Sequence, residues 1–161
     1  MAKILYGLSG EGAGHASRAK AIIPFLLKQG HEVKIVSYGK GFELLKNQFK
    51  VLEITGLHIA YNEKNEIENV KTVLKNLLKT PKLKTSLDKV LKLVKEFQPQ
   101  LVITDFESMS ALVANVKNIP LISIDNQHIL LDGKIEYPKK YEPEAMKTNA
   151  VVRFMVLGAE K

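Results

Sequence analysis

Short apolar stretches alternate along the chain with segments whose apolar residues recur every three to four positions. Five stretches are rich in Ile, Val and Leu and lack strict two-residue alternation, which is typical of strands buried on both faces; they span 3–8, 32–38, 50–54, 100–106 and 120–125. Between most of them, the apolar spacing predicts helices at 15–29, 41–48 and 107–116. This alternation predicts an α/β fold, a three-layer Rossmann-like, doubly wound parallel sheet.

The longest helical segment spans residues 66–97, and Pro81 divides it into two predicted amphipathic helices in series. Its lysines lie opposite its apolar residues, at Lys71, Lys75, Lys79, Lys84, Lys89, Lys92 and Lys95. Such a stripe is either a solvated helix face or a peripheral contact with an anionic membrane.

After an exposed segment at 132–143, a last amphipathic helix is predicted at 144–157. Because no strand follows it, residues 1–161 are expected to be a single N-terminal domain of a longer protein.

The charge and residue composition of the chain argue against nucleic acid and metal ions as partners. The formal net charge is +7, but Arg18 and Arg153 are the only arginines, and a lysine-rich surface without an arginine cluster does not favour nucleic acid. The sequence has no cysteine and no clustered His or acidic residues, so no metal site is predicted. The first apolar run is too short for a signal peptide, and none approaches the roughly 18 residues of a membrane span, so a cytoplasmic protein is expected.

Candidate chemistry lies in the loops after the strands, because parallel sheets bind ligands beyond the carboxyl ends of their strands. The first loop carries Gly10, Gly12 and Gly14 and ends in His15. It lacks the lysine of a Walker A loop, and its GxGxG spacing departs from the dinucleotide fingerprint. The glycines are expected to admit a ligand close to the backbone. His15 is then either a general base, kept neutral by the helix N-terminus, or a side chain that only bonds to the turn.

Two further loops supply polar candidates. Asp105 and Glu107 form a carboxylate pair at the crevice, or Asp105 only caps the helix predicted at 107–116. Asn126 and His128 follow the fifth strand, where they either face the crevice or satisfy a turn.

The glycine loop and the segment after it resemble a known family. A first strand, the loop "GEGAGH" and then "LLKQGHEVKIVS" are similar to the N-terminal half of GT-B glycosyltransferases. The start "GAGHASR" resembles predicted glycosyltransferases with a GxGHxSR start. More distantly, it resembles the transferases that add N-acetylglucosamine to the lipid-linked peptidoglycan precursor. The stretches "ITDFES" and "SIDNQH", at 103–108 and 123–128, extend the resemblance over most of 1–130.

The resemblance implies two Rossmann-like domains, of which the first binds the acceptor and the second the nucleotide sugar. Catalysis is then expected between them, without an obligatory metal or a cofactor. In many inverting members a histidine of the first loop takes the acceptor's hydroxyl proton and a later aspartate orients it; His15 and Asp105 match these positions. The expected acceptor contacts are Gly10, Gly12, Gly14, Glu107, Asn126 and His128.

The implied function is transfer of a sugar to a hydroxyl acceptor, for cell-envelope or lipid-linked glycans, in the cytoplasm or at the inner membrane surface. The donor is expected to bind a C-terminal domain that these 161 residues do not include. Two other classes stay open. One is a stand-alone flavodoxin-like binding module without catalysis. The other is half of a sugar-nucleotide epimerase, which needs an acid/base set that this sequence does not display.

Overall fold

Five parallel strands form one sheet at the centre of the molecule. The computed structural model describes residues 1–56, 80–134, 136–156 and 158. The strand order is β3-β2-β1-β4-β5, and every neighbouring pair is parallel. The strands are β1 Lys3–Leu8, β2 Glu32–Ser37, β3 Val51–Glu53, β4 Leu101–Asp105 and β5 Leu121–Ser123. Each lies within the span that the sequence predicted for it.

The helices confirm most of the predicted pattern, with ends displaced by a few residues. They are α1 Ala13–Lys28, α2 Gly39–Leu45, α3 Pro81–Phe97, α4 Ser108–Val116, α5 Ile129–Asp132 and α6 Glu142–Met155. The short α5 and a 3₁₀ turn at Lys139–Tyr141 were not predicted, because four and three residues are too few for an apolar period. The helix predicted before Pro81, with Lys71, Lys75 and Lys79, lies outside the described residues.

Helices cover both faces of the sheet, which confirms the three-layer architecture. Alternate side chains of β1 point to opposite faces, as a pleated strand requires. On one face Leu5 packs with α3 and α4, whose core residues include Val90 and Val113. On the other face Tyr6 and its neighbours pack with α1 and α2, as at Ile23. Among the described helices, none combines the length and apolar character needed to cross a membrane.

The strand order reverses between β1 and β4, and this reversal decides between two architectures. The observed order 3-2-1-4-5 is that of a Rossmann half, whereas flavodoxin-like sheets have the order 2-1-3-4-5. The sheet is therefore Rossmann-like and not flavodoxin-like in its strand order.

Candidate active site

The site lies at the carboxyl ends of β1 and β4. Leu8, the last residue of β1, is in register with Asp105, the last residue of β4. The Ser9 amide then donates to the Asp105 carbonyl oxygen at 3.0 Å, which ties the loop after β1 to β4. That loop leads directly into α1, so the first turns of α1 lie over Asp105. A crevice at such a reversal of strand order is where open α/β sheets bind ligands.

The glycines of this loop divide into one packing residue and two open ones. Gly10 is buried, and a Cβ on it would lie 2.0 Å from the Tyr38 backbone oxygen. The loops after β1 and β2 can therefore approach this closely only with glycine at that position. A Cβ on Gly12 or Gly14 would meet no described heavy atom within 4 Å. These two glycines border open space at the start of α1, which a loop that faces a ligand requires. Gly10 is instead packed against the loop after β2.

The first turn of α1 brings His15 onto the buried Asp105 carboxylate. Nδ1 of His15 lies 2.7 Å from Oδ1 of Asp105. The Asp105 side chain is 0% exposed and that of His15 is 12% exposed. Because an ionised carboxylate only accepts, the proton of a neutral His15 ring lies on Nδ1 and Nε2 keeps its lone pair. The structure thus brings together the histidine and the aspartate that the sequence proposed as a pair.

Arg18 completes this cluster, and no role was assigned to it from the sequence. Its Nε donates to Asp105 Oδ2 at 2.9 Å and its Nη2 to Oδ1 at 2.7 Å, a bidentate contact. Hydrogen bonding to Asp105 is the main cause that raises the pKa of Arg18 above its ordinary value. The spacing could have revealed it, since residues three apart on a helix share a face, and Arg18 follows His15 by three.

A second imidazole–carboxylate pair follows β5 at the same edge of the sheet. Nδ1 of His128 lies 2.8 Å from Asp125 Oδ2, and the His128 amide donates to Asp125 Oδ1 at 2.9 Å. Burial raises the pKa of Asp125, but the hydrogen bonds from Ser123 and His128 outweigh it and hold that pKa below its usual value. Asp125 was not among the predicted residues, although its place after a strand matches that of Asp105.

Asn126, which lies between Asp125 and His128 in the sequence, bonds to Arg18 of the first cluster. Nη1 of Arg18 donates to Asn126 Oδ1 at 3.3 Å, so the arginine spans from β4 to the loop after β5. The Asn126 side chain accepts through its oxygen there and is exposed, so this contact does not use its amide N–H groups. Of the expected polar contacts, Asn126 therefore joins the His15–Asp105 cluster directly, and His128 lies two residues further along the same loop.

Glu107 does not form a crevice pair with Asp105. Its carboxylate accepts from the amides of Met109 and Ser110, both at 2.8 Å, and caps α4. The residue is 1% exposed, and burial is the main cause that raises its pKa. The expected acceptor contact at Glu107 is therefore wrong, because both carboxylate oxygens are used at the helix end. The capping role considered for Asp105 belongs to Glu107.

Two tyrosines, one on β1 and one after β2, are buried. Tyr6 of β1 is 0% exposed, and its hydroxyl has no hydrogen-bond partner among the described residues. Burial, and then the charge of Asp105, raise the pKa of Tyr6, so it stays an uncharged phenol. Burial likewise raises the pKa of Tyr38 to about 12, and its hydroxyl pairs with Ser9 Oγ at 3.1 Å. The described residues contain no group of three or more metal-ligating side chains.

Fold and site together define an α/β protein with an imidazole–carboxylate pair at the reversal point of an open parallel sheet. A family model described as glycosyl transferase family 1 matches residues 2–161. The chain belongs to this family. That membership agrees with the glycosyltransferase resemblance and favours it over the epimerase alternative.

A relative and two solved structures give the extent of the similarity. A protein of Methanosarcina mazei, described as an uncharacterized glycosyltransferase, is 33% identical over 136 residues, covering 81% of this chain and 34% of that protein. MurG of Acinetobacter baumannii has a TM-score of 0.59 at 16% identity, over 98% of this chain and 40% of its own. SsfS6, a glycosyltransferase of Streptomyces sp. SF2575, has a TM-score of 0.59 at 16% identity, over 97% and 44%.

These similarities confirm the Rossmann-like α/β fold that the resemblance to GT-B glycosyltransferases implied. At 16% identity the solved structures show the fold alone. The chain spans about a third of the length of the curated relatives it matches.

Proposed function

We propose that this chain forms the acceptor-binding side of a glycosyltransferase, with His15 as the base that activates an acceptor hydroxyl. The observation that carries the proposal is the 2.7 Å contact between His15 Nδ1 and the buried Asp105 carboxylate, beside two glycines that border open space. This contact orients the ring, fixes its proton on Nδ1 and leaves Nε2 as the basic atom.

The chemistry assigned to the pair is proton removal during displacement at the sugar's anomeric carbon. The acceptor oxygen forms a bond to that carbon as its proton passes to His15 Nε2, and the bond to the donor's diphosphate breaks. The nucleoside diphosphate leaves with the bonding electrons. Asp105 stabilises the imidazolium that forms, and a positioned base of this kind contributes about 10² to 10⁴ in rate.

The acceptor side of the crevice offers hydrogen-bonding groups around this base. Gly12 and Gly14 leave room for the acceptor beside His15. Asn126 offers amide N–H groups, since its oxygen accepts from Arg18. His128, whose Nδ1 faces Asp125, offers Nε2. Several polar groups in one crevice suit an acceptor with several hydroxyl groups, as a sugar has.

The donor half of the reaction is assigned to a second domain. Curated relatives are about three times as long as the part that matches this chain, which leaves length for such a domain. We propose that it binds the nucleotide sugar and closes the cleft over His15. The full enzyme then acts in the cytoplasm on an envelope or lipid-linked glycan.

The lysine-rich face of α3 extends the proposal to an anionic membrane surface. Lys84, Lys89, Lys92 and Lys95 are all exposed on this helix, opposite the side that packs in the core. Each lysine near such a surface contributes about 1 kcal/mol of attraction. The chain should therefore sediment with anionic vesicles at low salt, and Lys89→Glu with Lys92→Glu should weaken this more than Lys20→Glu on α1. Equal binding to neutral vesicles, or none to anionic ones, would contradict the contact.

The two imidazole–carboxylate pairs provide a matched test of the base. In the complete enzyme, Asp105→Asn should lower the turnover number for sugar transfer by about 10² or more, because the ring loses its carboxylate partner. Asp125→Asn, which alters the second pair in the same way, should act mainly on the acceptor's KM. A turnover loss confined to Asp125→Asn would assign the base to His128 instead and refute the proposal.

A further inference from the structure

The guanidinium of Arg18 occupies a position that base catalysis by His15 alone does not explain. It makes two hydrogen bonds to the Asp105 carboxylate and a third to Asn126. Its Nη2 also lies 3.3 Å from Nδ1 of His15, which is a contact between two donors and not a hydrogen bond when the His15 proton is on Nδ1. The arginine therefore touches both members of the pair, although its own side chain remains 26% exposed.

We propose that Arg18 is a positioning residue that keeps Nε2 of His15 free of a proton. This inference rests on the proposed function, since it gives that function's base its reactive form. Arg18 supplies the positive charge that the buried Asp105 carboxylate needs. With that charge in place, the His15–Asp105 pair holds a single proton, on Nδ1.

A buried carboxylate that loses its cation is strongly destabilised. Asp105 is 0% exposed, and an unpaired charge at such a site is costly enough that it takes up a proton. A proton on the His15 ring would make an imidazolium, with Nε2 protonated. A proton on Asp105 would make a hydroxyl that donates to Nδ1, and the ring's own proton would then sit on Nε2. Both outcomes remove the lone pair that the base requires.

The other groups around the cluster do not replace Arg18. Tyr6, on β1, is an uncharged phenol and brings no cation. Asp125, on the loop after β5, is a second carboxylate and adds negative charge, which itself favours the charged form of Arg18. His128 is hydrogen-bonded to Asp125 rather than to Asp105.

The experiment reads the protonation of His15 directly, by long-range ¹H–¹⁵N correlation spectra of the ring in the 161-residue chain at neutral pH. The signals are assigned by their loss in His15→Gln. In the unsubstituted chain we expect a protonated Nδ1 and an unprotonated Nε2. Arg18→Gln should show Nε2 protonated, whereas Arg18→Lys, which keeps the charge, should retain the original pattern. Lys20→Gln, a charge change on the same helix, should change nothing.

An Arg18→Gln spectrum with Nε2 still unprotonated would overturn the inference, as would a protonated Nε2 in the unsubstituted chain. If Arg18→Gln does not fold, adding Asp105→Asn should restore folding, because it removes the carboxylate left without its cation. Failure of that double variant to fold would also overturn it. None of these readouts needs sugar transfer, so they stand apart from the test of His15 as a base.

Discussion

Gly10 is tightly packed and Gly14 borders open space, so adding a methyl group should change the stability of the chain in opposite directions at the two positions. We expect Gly10→Ala to destabilise the chain and Gly14→Ala to stabilise it. At Gly10 the new Cβ would lie 2.0 Å from the Tyr38 backbone oxygen, which cannot rotate away as a flexible side chain can. At Gly14, the second residue of α1, the Cβ would enter open space.

The expected magnitudes follow from these surroundings. Forcing a methyl group into a packed contact costs about 1–3 kcal/mol, and a backbone neighbour places Gly10→Ala at the upper half of that range. Replacing a strain-free helical glycine by alanine raises the free energy of unfolding by about 0.4–1 kcal/mol, largely because the unfolded chain has fewer accessible conformations. With a urea m-value of about 2 kcal/mol/M, the unfolding midpoint should fall by about 1 M for Gly10→Ala and rise by about 0.3 M for Gly14→Ala.

Urea unfolding followed by far-ultraviolet circular dichroism measures both variants, since the chain has no tryptophan. The same Gly14→Ala change in the complete enzyme should raise the acceptor's KM, because the methyl group projects into the space assigned to the acceptor. A stable Gly10→Ala protein would refute the packing role of Gly10. A Gly14→Ala enzyme with normal acceptor kinetics would refute the assignment of that space.

Three further outcomes are expected. Glu107→Ala removes both cap bonds to the start of α4 and should lower the free energy of unfolding by about 2 kcal/mol in urea. The pKa of Asp125 is lowered in the folded state, so its contribution to stability is lost as the pH falls through that value; Asp125→Asn should remove this part of the acid sensitivity, measured by urea unfolding across the acid range. Calorimetric titration of the 161-residue chain with uridine diphosphate sugars should show no tight binding, and tight binding would contradict the acceptor-side assignment.

The strands and the His15–Asp105 pair could be predicted because each depends on a local pattern joined to one general rule. Runs of Ile, Val and Leu mark strands covered on both faces. The carboxyl ends of parallel strands meet at one edge, so the residues that follow β1 and β4 must be close. Arg18 was not predicted: helical spacing places it on the same face of α1 as His15, but its partner Asp105 is 87 positions away and only the folded sheet brings the two together.

The different roles of Asp105 in the site and Glu107 at the helix cap could not be predicted from the sequence. Two acidic residues at the end of a strand are equally plausible as crevice groups or caps. Between the two carboxylates, Phe106 has a left-handed φ of 57°, which turns the backbone there. A non-glycine residue adopts that conformation at a cost, here offset by packing of Phe106 against Val152 and Met155 of α6. That contact is tertiary and leaves no local pattern.

The most direct test of His15 as the acceptor base measures turnover and donor binding side by side in the complete enzyme carrying His15→Ala, with His31→Ala as the control. His31 is a suitable control because it lies on the loop before β2, at the amino end of the strand rather than at the carboxyl end where the site is. Its Nδ1 accepts a hydrogen bond from the Ala2 amide at 3.2 Å. We expect His15→Ala to lower sugar transfer by about 10² to 10⁴ and to leave the donor's dissociation constant within about twofold. Normal transfer by His15→Ala, or a loss explained entirely by weaker donor binding, would contradict the assignment of His15 as the base.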